Sequence, residues 1–155
     1  MNVETAVNKL AESKSGPHDL SEEKLRGLLD LNPDGPYHFV NLLKFKAVAT
    51  YPDDHPLAAQ QMSGQDAYNV YGAVALQQVI KRGGRLMQMN KALYQMGDEG
   101  RDAVATMEYQ HLGAFLEMLL DPDYQAALVH RQAGLEKTDL IITRPKILGP
   151  VVAVG

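Results

Sequence analysis

Two residues with acid–base side chains, His38 and Glu108, lie on segments whose composition predicts β-strands. An imidazole titrates near neutral pH, and a neighbouring carboxylate can orient its ring. Such a pair suits proton transfer to or from a bound substrate. A water-filled space beside the sheet explains the same polar residues without catalysis. We therefore keep both interpretations, a His38–Glu108 catalytic pair and a wet polar surface.

Arg85 and Asn41 are polar residues on otherwise apolar strand faces. Strict alternation groups Arg85 with Met87 and Met89, and groups Asn41 with Phe39. We assign both faces to the helix-packed side of the sheet, where a buried polar group needs a hydrogen-bond partner or a ligand. Arg85 would then bind an anion or polarise a substrate oxygen in a cavity between sheet and helices. A structural ion pair or a cap on helix-end carbonyl groups is the alternative.

Four more residues are candidates for lining that cavity: Tyr71, Tyr124, His130 and Arg131. Packing in the core, with the hydroxyl hydrogen-bonded, is the simpler explanation for both tyrosines. His130 and Arg131 lie near a predicted helix C-terminus, where positive charge is favourable for local reasons. We expect Arg85 to contact Asn41, Tyr71, Tyr124 or a bound anion. The predicted ligand-binding set is Asn41, Tyr71, Arg85, Tyr124, His130 and Arg131, and the predicted catalytic set is His38, Arg85 and Glu108.

The sequence offers little support for a cofactor. It has no cysteine, which excludes cysteine nucleophiles and thiolate metal sites. Asp53, Asp54 and His55 lie between two prolines, as in a solvated loop, and do not indicate a metal site. Nucleophile-elbow, P-loop, dinucleotide-binding and His-Glu metalloprotease motifs are absent. We expect neither a metal nor an organic cofactor.

Apolar periodicity and turn residues predict the elements that position these side chains. They predict helices near 3–11 and 19–29, a strand at 37–45, a helix at 64–81, strands at 85–96 and 103–109, helices at 112–120 and 122–134, and a strand at 140–143. From residue 37 the order is strand, helix, strand, strand, helix, strand, the ferredoxin-like arrangement. This predicts one α+β domain, an antiparallel sheet with helices on one face. It comprises an N-terminal helical extension (1–35), a core (36–144) and a C-terminal tail (145–155).

Several short motifs resemble those of a known family. They are the strand at 37–46, Tyr68 with Tyr71, Gly83-Gly84-Arg85, Pro122-Asp123-Tyr124-Gln125, and His130-Arg131. With this order of elements, the chain resembles the dimeric α/β-barrel proteins and, among them, the family called domain of unknown function 1330, over about residues 36–144. The resemblance implies a homodimer whose two sheets face each other. That superfamily includes cofactor-free monooxygenases, isomerases, haem-binding enzymes and stress-related proteins, and fold alone does not choose among them.

Composition sets further bounds. The 155 residues, 45% hydrophobic and 22% charged, are typical of one globular domain. A formal net charge of -4 without a basic run argues against nucleic acid as a partner. Residues 2–14 lack the apolar stretch of a secretory signal, and no apolar segment is long enough to span a membrane. We expect a cytoplasmic protein without a membrane partner.

Self-association is also predicted from the sequence. On the helix at 64–81, one apolar stripe contains Ala67 and Tyr71, while Ala73, Leu76 and Ile80 occupy a different side. The tail at 147–154 is apolar enough to pair with a sheet edge or cross to a partner. Burial of the second stripe by the N-terminal helices is the rival explanation. We expect a two-fold homodimer.

Two classes of function remain. The first is a cofactor-independent enzyme, monooxygenase- or isomerase-like, that acts on a small carbonyl or aromatic compound. In it Arg85 polarises an oxygen and a histidine or tyrosine moves a proton. The second is a non-catalytic dimeric module, stress-related or ligand-binding. The first class places a small-molecule pocket between sheet and helices, whereas the second binds a small ligand or merely assembles.

Overall fold

A computed structural model describes residues 1–145, so the predicted tail strand at 147–154 lies outside the described residues. The helices are α1 (Val3–Ser13), α2 (Glu22–Gly27), α3 (Gly64–Lys81), α4 (Leu112–Leu120) and α5 (Pro122–Gly134). The strands are β1 (Asp34–Phe45), β2 (Arg85–Lys91), β3 (Ala103–His111) and β4 (Leu135–Thr143). Within residues 1–145, no helix has the length and apolar character needed to cross a membrane.

The four strands form one antiparallel sheet in the order β2-β3-β1-β4. Helix α3 connects β1 to β2, and α4 with α5 connects β3 to β4. This order and these connections define the ferredoxin-like arrangement. The predicted α+β, ferredoxin-like fold is therefore confirmed.

The register of β1 decides which side chains share a face. Phe39 lies opposite Met107 of β3 and Ile142 of β4, and all three belong to or pack against the apolar core under the helices. His38, the preceding residue, lies opposite Glu108. Successive side chains of a strand point to opposite faces. His38 and Glu108 therefore lie on the face that the helices leave open.

The N-terminal helix is part of the same packing. Ala6, Val7 and Leu10 of α1 are buried, and they belong to the same core cluster as Phe115 and Leu116 of α4. Asn2 caps the start of this helix, and its side chain accepts a hydrogen bond from the Thr5 backbone nitrogen at 2.8 Å. This capping bond satisfies one of the free amide groups at the helix start. Residues 1–35 therefore add a layer to the core.

Side-chain caps satisfy free amide groups at the starts of α2, α3 and α5. Ser63 accepts a hydrogen bond from the backbone nitrogen of Asp66 at 3.1 Å, and Asp121 precedes Pro122 at the start of α5. Helix α2 begins after Ser21, whose hydroxyl accepts from the Lys24 backbone nitrogen at 3.2 Å. The carboxylate of Asp19, two residues before Ser21, bonds to Arg131 instead, as described below.

Strand bounds differ from prediction mainly at β2 and β4. Strand β2 ends at Lys91, and Leu93, Tyr94 and Met96 are exposed on the following loop. Backbone bonds from Ala92 to Asp102 and from Asp102 to Leu43 close this loop onto the sheet. Strand β4 begins at residue 135, five residues before the predicted start, because its first half pairs with the end of β1. That half contains exposed, charged residues and lacks the apolar pattern of a buried strand, so the sequence did not predict it as a strand.

Two glycines let the start of α3 approach the end of α5 through their backbones. A Cβ atom on Gly134 would lie 2.8 Å from the backbone nitrogen of Tyr68 and nearer still to the carbonyl oxygen of Gly64. A Cβ atom on Gly72, in the middle of α3, would meet no atom within 4 Å. Glycine is therefore required at position 134 but not at position 72.

We expect Gly134→Ala to lower the free energy of unfolding by about 1–3 kcal/mol, because an added methyl group overpacks this contact. Gly72→Ala should raise it by about 0.5–1 kcal/mol, since alanine loses less backbone entropy in a helix. Urea unfolding followed by circular dichroism measures both changes. Equal stability of the two variants would contradict the close approach of α3 and α5.

Candidate functional site

A cavity of about 880 Å³ lies between the helices and the helix-packed face of the sheet. We call it the helix-side cavity. Its walls come from α3, from α4 and α5, from the sheet, and from segment 17–28 of the N-terminal extension. Most of its lining side chains are apolar, among them Phe39, Val79 and Met107. The space therefore suits a ligand with a largely apolar body.

Part of the second apolar stripe on α3 faces this cavity. Ala73 and Leu76 line it, whereas Ile80 is exposed. The sequence argument used this stripe as a sign of a homodimer. Leu76 is half-buried there, but Ala73 and Ile80 are exposed, so the stripe is only partly covered within a single chain.

A pair of buried phenols forms one polar part of the cavity wall. The hydroxyl oxygens of Tyr71 on α3 and Tyr124 on α5 lie 2.9 Å apart, in a hydrogen bond that joins the two helices. Burial raises the pKa of both phenols well above the ordinary range. Both groups therefore stay protonated near neutral pH, and one hydroxyl hydrogen is available to a ligand or to its neighbour.

Three further polar groups at the cavity have spare hydrogen-bonding capacity among the described residues. The Tyr68 hydroxyl, whose pKa burial also raises, has no partner within residues 1–145. Asn41 uses its amide nitrogen, which donates to the carbonyl oxygens of Phe39 at 3.3 Å and Ala105 at 3.2 Å. The Thr138 hydroxyl is buried without a partner in the described part of the chain. Buried polar atoms usually find partners, so these groups fit a ligand with oxygen or nitrogen atoms.

An ion pair closes one end of the cavity. Both terminal nitrogens of Arg131 on α5 bond to the carboxylate of Asp19, the second at 3.2 Å. Burial by itself would lower the pKa of Arg131, but the bonds to Asp19 outweigh it and the pKa is raised. Burial by itself would raise the pKa of Asp19, but the same bonds hold it below its ordinary value. Both groups therefore stay charged.

The helix-side cavity offers hydrogen bonds rather than proton exchange near neutral pH. Its phenols have raised pKa values, and Asp19 and Arg131 hold each other in their charged forms. Among the described residues, no histidine lines it. A general acid or base works best with a pKa near the operating pH. The phenols and the ion pair thus supply hydrogen bonds and fixed charges to the cavity wall.

A second group of polar side chains lies on the open face of the sheet. We call His38, Glu108 and Arg85 the sheet-face cluster. The Nε2 atom of His38 lies 2.8 Å from Glu108 Oε2, and the Nε atom of Arg85 lies 3.0 Å from Glu108 Oε1. The hydrogen bond from His38 lowers the pKa of Glu108, and Arg85 lowers it further against the effect of burial. Glu108 is therefore an ionised carboxylate that orients a histidine.

The structure corrects the predicted position of Arg85. Its side chain is 66% exposed, lies on the open face and does not line the helix-side cavity. The register between β2 and β3 shifts between Leu86 and Gln88, so Met87 is an extra residue. A bulge of one residue reverses the alternation on either side of it. Arg85 consequently shares a face with Gln88, and its predicted contacts with Asn41, Tyr71 and Tyr124 are wrong.

His130 and Arg131 do not act together, although they are neighbours in sequence. Arg131 faces the helix-side cavity, whereas the Nδ1 atom of His130 lies 2.7 Å from the hydroxyl of Tyr51 on the other side of α5. Burial and the nearby His55 lower the pKa of His130. His130 therefore packs with Tyr51 and His55 and does not form part of the cavity wall.

Of the predicted ligand-binding residues, Asn41, Tyr71, Tyr124 and Arg131 line the cavity, and Arg85 and His130 do not. Sequence reasoning missed Asp19, Lys24 and Thr138 as lining residues. It assigned Tyr68 no role there, although the spacing of Tyr68 and Tyr71 places both on one helix face. Nothing in the sequence links Asp19 to Arg131, because 112 positions separate them.

Comparisons with known proteins agree with this fold. The family described as "Domain of unknown function (DUF1330)" matches residues 57–144. RPA0582 of Rhodopseudomonas palustris, a protein of unknown function, is 32% identical, with a TM-score of 0.73 over 85% of this chain and 98% of that chain. A methylated form of RPA0582 is 31% identical, with a TM-score of 0.75 over 87% of this chain and 98% of that chain. No curated protein matches. The chain belongs to the DUF1330 family.

Proposed function

We propose that this protein binds a small, mainly apolar molecule with oxygen atoms in the helix-side cavity. The observation that carries the proposal is an apolar space of about 880 Å³ whose wall holds the hydroxyls of Tyr68, Tyr71 and Tyr124. Small-molecule sites are typically concave and mostly apolar, with a few polar groups that set orientation.

Size and chemistry support the same ligand class. Cavities of roughly 300–1,000 Å³ bury most of the surface of a compound with 20 or so heavy atoms. Removing apolar surface from water contributes about 25 cal/mol for each Å². The protonated phenols then donate hydrogen bonds to a carbonyl, ether or hydroxyl oxygen. The body of the ligand supplies affinity and its oxygens supply orientation.

Filling the cavity should remove binding without unfolding the protein. Gly72 lines the cavity, and a side chain there has open space in front of it. We expect Gly72→Phe to weaken binding of the neutral fluorescent probe N-phenyl-1-naphthylamine by about tenfold or more, because the ring takes space that the probe needs. The measurement is a fluorescence titration, with circular dichroism to verify folding.

Gly100→Phe is the matched control, since Gly100 is exposed on the loop after β2, does not line the cavity and has no atom within 4 Å of a Cβ position. It should leave the affinity for the probe within about twofold of the original. Unchanged binding in Gly72→Phe, or absence of binding in the unmodified protein, would refute the proposed function.

A second candidate function is cofactor-independent proton transfer on a carbonyl or aromatic compound. The observation that favours it is the sheet-face cluster, in which the ionised carboxylate of Glu108 is hydrogen-bonded to both His38 and Arg85. His38 would move the proton, and the largely exposed guanidinium of Arg85 would stabilise a developing negative oxygen. The non-catalytic module named from the sequence remains the alternative.

This candidate predicts that the protein accelerates deuterium incorporation beside the carbonyl group of simple ketones and β-dicarbonyl compounds in D₂O. His38→Gln should slow that exchange by about 100-fold, as loss of a general base does. Proton NMR follows the reaction. His18→Gln, at an exposed histidine, is the control and should leave the rate unchanged. Equal rates in both variants would remove His38 from the reaction.

We also propose a homodimer in which the open faces of two sheets meet. Ile141 of β4 is 50% exposed on this face, opposite Val40 of β1. The sheet-face cluster lies on the same surface, and a partner sheet would shield it from water. Shielding would strengthen its electrostatic interactions.

Sedimentation at micromolar concentration should give about twice the chain mass of 17.0 kDa. Ile141→Lys places a charge in the proposed interface and should shift the protein toward monomer. Val48→Lys, at a residue that is 53% exposed on a loop, should not. A monomer in the unmodified protein, or an Ile141→Lys variant that stays dimeric, would contradict this interface.

A further inference from the structure

Arg131 is a buried cation in the wall of an apolar cavity. Its side chain is only 12% exposed. It lines the helix-side cavity together with Tyr71 and Tyr124, and its positive charge acts to lower the pKa of both phenols against the larger effect of burial. A buried guanidinium requires a negative partner, and its planar fork matches a carboxylate in a two-point contact. The wall therefore contains a preformed carboxylate-binding group.

The present partner of Arg131 comes from a peripheral segment. Asp19 lies in the loop between α1 and α2, and its side chain is 38% exposed. A carboxylate so close to water regains hydration when it leaves Arg131, whereas Arg131 has no such route to solvent. Asp19 is consequently the replaceable member of the pair.

Charge at this end of the cavity also favours an anion. Lys24 lines the cavity, and its ammonium group donates to the backbone oxygen of Asp19 at 3.2 Å. Within residues 1–145, no carboxylate forms a salt bridge with Lys24. Lys24 and Arg131 together thus supply two positive charges beside the negative charge of Asp19, while Asp139, the other acidic lining residue, is paired with Arg101. An added carboxylate would balance the site.

We propose, on the basis of the cavity function above, that the natural ligand is an apolar organic acid whose carboxylate takes the place of Asp19 on Arg131. The acid group then lies beside the hydroxyls of Tyr71 and Tyr124, and the apolar body extends toward the sheet. While the cavity is empty, the carboxylate of Asp19 occupies the position of the ligand carboxylate and keeps Arg131 paired. It competes with the ligand, so it also sets the affinity.

Displacement of N-phenyl-1-naphthylamine by decanoate and by decan-1-ol tests this proposal at pH 7.5, because the two competitors differ in the acid group. In the unmodified protein, decanoate should displace the probe at lower concentration than the alcohol. Asp19→Asn removes the competing charge and should tighten decanoate binding by about tenfold, with the alcohol within about twofold. Arg131→Gln should abolish the preference for the acid.

Asp54→Asn is the matched control, because it makes the same charge change on an exposed loop and should alter neither competitor. If Arg131→Gln does not fold, the gain expected in Asp19→Asn and the acid preference of the unmodified protein still decide the question. Equal displacement by acid and alcohol, or an equal response of both to Asp19→Asn, would overturn the proposal. Failure of the probe to bind at all would instead refute the cavity function itself.

Discussion

The pairing of β1 with β3 on one side and β4 on the other is the constraint on which the rest of the structure depends. Its register places Phe39 and Asn41 under the helices and His38 beside Glu108 on the open face. A slip of one residue would exchange the two sets and bury His38 in the apolar core. Both candidate sites therefore follow from one set of backbone hydrogen bonds.

The helix-side cavity depends on how α3 and α5 meet. Gly64 and Gly134 bring the two helices into backbone contact at one end, and the Tyr71–Tyr124 hydrogen bond joins them further along. Segment 17–28 then closes one end of the cavity through the bond between Asp19 and Arg131.

The two faces of the sheet provide different chemistry. Under the helices, burial keeps the phenols protonated, and the buried cation Arg131 is already paired. On the open face, His38 and the ionised Glu108 form the kind of pair that can exchange a proton. The proposed binding site and the proposed proton-transfer site are thus separated by the thickness of the sheet.

The sequence by itself determined the helices, the strand order and the cavity-facing positions of Tyr71 and Asn41, because apolar periodicity and capping residues act over a few neighbours. It did not determine the face of Arg85, because one extra residue at Met87 reverses the alternation and leaves no local sign in the composition. Nor did it pair Asp19 with Arg131 or His130 with Tyr51, which are 112 and 79 positions apart. Only the tertiary structure decided these contacts, since they depend on how whole helices and strands pack, and the type of a residue does not specify its distant partner.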